Sequence, residues 1–426
     1  MRAYRAGDLK QAQQLGAEAH AVWPPQPYYA YGLASLAARA GDTSTVLRAL
    51  DAYAAMGLGA DLATDDDFAA IRGAPALSAI SGRLRANMAP MARSHVAFRL
   101  AEPDFFPEGI ACDARTGACY VASIRYRKVV RVLPDGSSAD FVGSAAHGLL
   151  GAMAVGIGAG GPTLWVSSVA LPQMLDYGGS AADSAGGAAL HEFDLRTGAL
   201  VRQFAFPGDS IPANPGDMYV ARSGEVFVSD SRRGVVYRVL PMRAGVATAE
   251  TVTIFARDPL LRSPQGIAES EDGSLLYVAD YSHGILAIDR ATHAVRPVAA
   301  PPGSTTLGID GLVRVGGALI GVQNGVQPPR IVRMSLGRNP LVLDKFELID
   351  RNLPLANGPT SGAMLNGEYR YVANSLWDFY DDEGRRKAGA VPEAPVILGI
   401  TWACRPQASR TTSSRQRFVA PSRTAC

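Results

Sequence analysis

Histidine and cysteine are scarce in this chain of 426 residues, which has six of the first and four of the second. No His/Cys cluster with zinc-type spacing can be assembled from so few, and no Cys-x-x-Cys pair is present. No apolar run is long enough for a membrane-spanning helix. Charge of one sign is also missing: 41 basic residues face 39 acidic ones, a formal net charge of +2. That balance gives no global electrostatic case for nucleic acid or membrane partners. A Gly-rich phosphate loop and a Ser-His-Asp constellation are absent. Met1 leads straight into the polar, helical-looking AYRAGDLKQAQQ. As it stands the sequence carries no visible export signal and is expected in the cytoplasm. An upstream leader would make it periplasmic or secreted, and the first residues do read like the middle of a helical repeat.

What is abundant is turn chemistry, 45 glycines and 28 prolines, on a background that is 47% hydrophobic. A chain of this length has room for two domains, and the composition suits a mainly β body. Residues 1–92 are the exception. They are rich in Ala and Leu, and Arg-Ala-Gly-Asp or its like opens two helical apolar patterns, with Gly7-Asp8 and Gly41-Asp42 spaced 34 positions apart. The Gly ends one helix and the Asp caps the next. Pro24, Pro25 and Pro27 separate the units. The spacing resembles that of tetratricopeptide repeats. Two repeats are fewer than independent stability needs, so the segment is expected to dock on the next domain, as a cap or as a groove for a protein partner.

From residue 93 to 402 one pattern recurs six times: a turn, Gly or Asp with an apolar residue, a short strand, a turn, then an apolar strand ending in Ala/Ser-Asp/Ser/Asn. The copies start at Pro107, Leu150, Asn214, Ser263, Ile309 and Gly358. Several copies are followed by a third strand, and small sheets of this kind bury both faces only when arranged round an axis, which predicts a six-bladed β-propeller. HVAFRLAE near residue 95 and APVILGI near residue 394 are expected to complete one blade between them. The Gly/Ala/Ser-rich ALPQMLDYGGSAADSAGGA reads as a long loop between the second and third copies. Residues 403–426 are basic, Ser/Thr/Arg-rich and aperiodic, and read as a disordered tail. Cys112 and Cys119 flank a tight turn at Ala114 to Gly117. They are either a cross-link between adjacent strands, which implies an oxidising compartment, or two buried free thiols.

The repeats PEGIACD, SPQGIAESEDGSLLYVAD and GIDGLVRV resemble the regucalcin/gluconolactonase superfamily of propellers, with strictosidine synthase-like and NHL-type propellers as relatives. The resemblance covers about 70% of the chain. It implies a metal-dependent hydrolase acting on a small lactone or ester, with a divalent cation, calcium in many members, at the channel mouth. The family's metal-binding Glu falls on Glu108, its Asn on Gln265 and its Asp, which is also the catalytic base or nucleophile, on Asp310. A fourth polar position falls on Asn214 or Asp217. Oxygen donors of these types suit calcium or magnesium. Gln265 departs from the family's Asn, and strictosidine synthase-like relatives carry no metal. The alternative is therefore a non-catalytic propeller that binds a ligand or protein together with the helical segment. His147 and His283 are candidates to face the channel or to sit in loops. Asp230, Asp280 and Asn374 close second strands and read as turn-bonding groups. Trp377, Phe379 and Tyr380 either line the channel entrance or pack beneath the closing strand.

Overall fold

The structure is a computed structural model, described for residues 2–158, 162–178, 187–241 and 251–402. The basic tail expected from residue 403 lies outside the described residues. Six four-stranded antiparallel sheets form the body. Their innermost strands are Pro107–Cys112, Gly151–Ile157, Pro215–Val220, Pro264–Glu269, Ile309–Val315 and Gly362–Leu365. Each touches the inner strand of the next blade, and the sixth touches the first, so the ring is closed around a channel. The chain is a six-bladed β-propeller. His95–Arg99 pairs with Val396–Thr401 and supplies the outermost strand of blade six. A covalent start and finish thus meet in one sheet, which leaves no open edge in the ring.

The second strands carry the core. Cys119–Ser123, Val226–Asp230, Leu275–Asp280 and Ala318–Gln323 are buried along their whole length. Neither face of such a strand meets water, which is why these segments read as continuous apolar runs rather than alternating ones. An apolar cluster fills each interval between neighbouring blades, such as Val121, Val130, Val372 and Ile397 between blades one and six. Each side chain of that size contributes roughly 1.5–3 kcal/mol on burial.

In blades one, four and five the inner-strand glycine makes room for the neighbouring blade. A Cβ on Gly109 would lie 2.4 Å from the Met153 carbonyl oxygen, and one on Gly266 would lie 2.3 Å from the Leu312 nitrogen. Only glycine lets adjacent inner strands come this close.

Between Leu9–Val22, Pro27–Arg39 and Thr43–Ala55, the N-terminal helices turn at Pro24-Pro25 and at Gly41-Asp42. Gly7 and Gly41 adopt left-handed φ of 79° and 74°. Asp8 and Asp42 then accept from the Gln11 and Thr45 amides, the same cap 34 residues apart. Pro27–Arg39, Thr43–Ala55, Asp66–Ile71 and Ala76–Asn87 share one apolar core, into which Val326 of the propeller inserts. Gly59 donates to the Gln327 carbonyl, the Arg330 guanidinium donates to that of Met56, and Arg351 donates to those of Ala86 and Ala89. The segment is thereby docked on blade five. Among the described residues no helix is long and apolar enough to cross a membrane.

One expectation is settled here and one is corrected. Cys112 and Cys119 form a disulfide across directly opposed strand positions. The long Gly/Ala/Ser-rich loop does not join blades two and three. It connects the second and third strands of blade two, Thr163–Val169 and Ala188–Asp194, and its residues 179–186 lie outside the described residues. The misplacement followed from counting two strands per repeat, when Ala188–Asp194 and Leu200–Ala205 still belong to the second sheet.

Candidate functional site at the channel mouth

In the first, fourth and fifth blades the strand pairing slips at the residue before the glycine: between Pro107 and Ile110, Pro264 and Ile267, and Ile309 and Leu312. A slip of this kind turns the extra side chain out of the regular alternation. Glu108, Gln265 and Asp310 are the residues so turned, and all three line a cavity of about 350 Å³ at the channel mouth. Asn214, at the start of blade three, lines it too. Asp217 does not. It lies on the channel wall beyond the mouth, where its carboxylate accepts from the Met218 amide at 2.7 Å. Of the two residues eligible for the fourth position, Asn214 is the one at the mouth.

Each acidic group is held by one oxygen and keeps the other free. Glu108 Oε2 accepts from Trp377 Nε1 at 2.9 Å, and Asp310 Oδ2 accepts from Asn324 Nδ2 at 2.8 Å. Asn214 donates through Nδ2 to Ser231 Oγ at 3.1 Å. Among the described residues no hydrogen-bond partner meets Glu108 Oε1, Asp310 Oδ1, Asn214 Oδ1 or the Gln265 amide. The buried hydroxyl of Ser375, also on the cavity wall, has no partner either.

The lining holds Glu108, Asp310 and Asp378 and includes no Lys, Arg or His. Burial in the channel, and then the charge of Asp310, push Glu108 well above the ordinary carboxylate range. Burial raises Asp310 to about 7 against the lowering hydrogen bond from Asn324. Burial and the charge of Asp310 also raise Asp217 to about 7. These are the shifts expected of carboxylates withdrawn from water and facing one another without a counter-charge. Among the described residues, no three His, Cys, Asp or Glu side chains come close enough to hold a metal ion by themselves. A cation at the mouth would therefore draw on the amide oxygens of Gln265 and Asn214 beside Glu108 and Asp310. The donor set fits a hard, oxygen-preferring ion such as calcium.

The remaining candidates sort by what they touch. Asp230 and Asp280 are fully buried and spend their oxygens on the turn amides of Arg232, Arg233, Ser282 and His283 and on the backbone of Asn214 and Ser263. Asn374 bonds the Val396 amide and the Ala394 carbonyl. His147 faces Phe193 rather than the channel. His283 stacks on Trp23 of the helical segment at 5.4 Å. Trp377 lines the mouth, whereas Tyr380 packs on Phe106 and Phe379 borders the same apolar cluster.

Sequence reasoning missed a second tier of the cavity. The residues that directly follow or nearly follow the second strands of blades three to six, Ser231, Tyr281, Asn324 and Ser375, all line it. For three of them a signal was available: Ser231, Tyr281 and Ser375 stand one place after Asp230, Asp280 and Asn374, whereas Asn324 follows Gln323, a position the sequence pattern does not mark.

No family model matches the chain, and no curated protein matches it. Its six-bladed structure is similar to a gluconolactonase from Xanthomonas campestris, at 15% identity, covering 74% of this chain and 91% of that one with a TM-score of 0.47. It is likewise similar to a calcium-binding regucalcin from Agrobacterium tumefaciens, at 14% identity over 72% and 94% of the two chains with a TM-score of 0.43. Virginiamycin B lyase from Staphylococcus aureus gives 12% identity, 71% and 97% coverage and a TM-score of 0.45.

Proposed function

We propose that the chain is a metal-dependent hydrolase of the lactonase or esterase type, acting on a small lactone or ester at the channel mouth. The observation that carries this reading is the charge of the cavity: carboxylates raised by burial, four uncommitted oxygen positions and no cationic side chain in the lining. Glu108, Gln265, Asp310 and Asn214 would hold a divalent cation, calcium by the softness of none of its donors. Such an ion supplies charge stabilisation for a carbonyl oxygen and acidifies bound water.

The chain's own residues then have distinct tasks. Asp310, with one oxygen fixed by Asn324 and one free, takes the proton of the attacking water at Oδ1. The oxygen of that water bonds to the acyl carbon, and the ring or ester C–O bond breaks. The departing alkoxide receives a proton from solvent at the open mouth. Trp377 keeps Glu108 turned toward the cavity and walls one side of it. Small neutral substrates suit a lining without a cation to pair with phosphate or carboxylate. The disulfide fits an oxidising compartment.

A panel of lactones and aryl esters, assayed with calcium and with a chelator, tests this reading. Hydrolysis that needs the ion and falls at least 100-fold in Asp310→Ala supports it. Hydrolysis unaffected by chelation, or equal in the variant, sinks it. A chain inert throughout the panel favours the non-catalytic, ligand-binding propeller, with a protein partner engaged through the helical segment.

A further inference from the structure

Asn324 makes more contacts at the mouth than any residue proposed to meet the ion. Its Nδ2 donates to Asp310 Oδ2 at 2.8 Å and to the Pro359 carbonyl at 2.8 Å, and its Oδ1 accepts from Tyr281 OH at 3.0 Å. Both amide hydrogens and the amide oxygen are committed, so the side chain can have only one orientation. Its amide oxygen is already turned to Tyr281, and its amide group to Asp310 and Pro359. The tie spans three blades: Tyr281 belongs to blade four, Asn324 and Asp310 to blade five, and Pro359 leads into blade six.

The backbone beneath is equally constrained. Gly325 donates to the Gly308 carbonyl at 3.0 Å, and a Cβ on Gly325 would lie 2.4 Å from the Tyr281 ring. The Gly325 carbonyl accepts from Tyr28 OH of the helical segment at 3.0 Å. On the other side of Tyr281, Trp23 stacks on His283. The helical segment thus grips the two loops that carry Tyr281 and Asn324.

We propose that Asn324 is the positioning residue of Asp310, and that the helical segment keeps it in place through the Tyr28 contact with Gly325. The proposal rests on the reading of Asp310 as an ion-binding and proton-accepting group. Without Asn324 one carboxylate oxygen is released, the group can rotate, and the free oxygen no longer has a fixed place at the mouth.

The test compares Asn324→Leu, Tyr28→Phe and Arg351→Ala in the full chain, with calcium chloride as the probe. Calorimetry gives the affinity and differential scanning calorimetry the Tm. Arg351 anchors the helices by Ala86 and Ala89, away from Asn324, and serves as the structural control. Asn324→Leu should weaken calcium binding tenfold or more, and Tyr28→Phe about threefold, neither lowering Tm more than Arg351→Ala does. Arg351→Ala should keep its affinity within twofold. Unchanged affinity in Asn324→Leu overturns the proposal, as does an equal loss in Arg351→Ala. Unchanged affinity in Tyr28→Phe overturns the part given to the helices. If the wild type binds no calcium, the ion-binding reading fails by itself, and crystal structures of ion-free wild type and Asn324→Leu decide. A displaced Asp310 carboxylate upholds the positioning role, and the same rotamer in both overturns it.

Discussion

The two ends of the channel carry carboxylates of very different standing. At the end away from the mouth, Glu269 is almost fully buried but paired: Arg290 Nη1 lies 2.6 Å from it, and Tyr219 OH donates to its other oxygen. Arg290 also engages Glu225, and Arg314 holds the Glu269 carbonyl. At the mouth, Glu108 and Asp310 receive an indole N–H and an amide N–H and meet no cation. Both ends are built on the same strands and enclosed by the same ring. The difference shows that the fold can neutralise a channel carboxylate where charge is structural, and that the mouth is left without such a partner. A buried acid without a counter-charge costs stability, so its retention points to a ligand that provides the charge.

The largest expected effect is on the pH dependence of stability in ion-free protein. Asp217 and Asp310 have folded values near 7 against an unfolded value of 3.8. Between those limits the native state binds more protons at these two groups than the unfolded one, so the stability that they contribute is greatest below about pH 4 and declines as pH rises toward 7. One group shifted by about three units contributes roughly 4 kcal/mol, so the decline should be at least of that order, and calcium should flatten it. Urea unfolding at pH 5 and pH 8, with and without calcium, measures this; a curve with no decline would remove the contrast between the two ends. Asp310→Asn should raise ion-free stability at pH 8 by about 2 kcal/mol while abolishing ion binding. At the opposite end the sign reverses. Arg290→Ala strands Glu269 and should cost about 3 kcal/mol with calcium affinity unchanged. Replacing Cys112 and Cys119 by Ser, in the strand pair that borders that end, should cost about 2 kcal/mol by relaxing the unfolded chain. The smallest effect is expected of Trp377→Phe, which removes one hydrogen bond to Glu108 and should weaken calcium binding about threefold.

The architecture was legible because each blade repeats a packing constraint. The buried, mostly apolar second strand recurs from blade to blade, the inner glycine meets the same demand from the neighbouring blade in blades one, four and five, and the turn-bonding Asp recurs in blades three and four. Ring closure could be read from two orphan strand-like segments at residues 95 and 394. The outer strands were not legible: Ser138–Val142 is largely exposed and Val295–Pro297 is three residues long, so neither needs an apolar pattern. Glu108, Gln265 and Asp310 were reached through the family resemblance, which sets an oxygen-bearing residue before the glycine of these repeats; the pairing slip beside that glycine is what turns them to the cavity. Asn324 and Asp378 were not, because they sit in polar loops where local composition is indifferent to what the fold brings near. The same holds for Tyr28, whose partner Gly325 is 297 residues away.

Calorimetric titration of the ion-free wild type and of Asp310→Ala with calcium is the most direct test of the central claim. The account predicts a single site in the wild type that the variant loses. Absence of binding in the wild type, or equal binding in the two proteins, would contradict it.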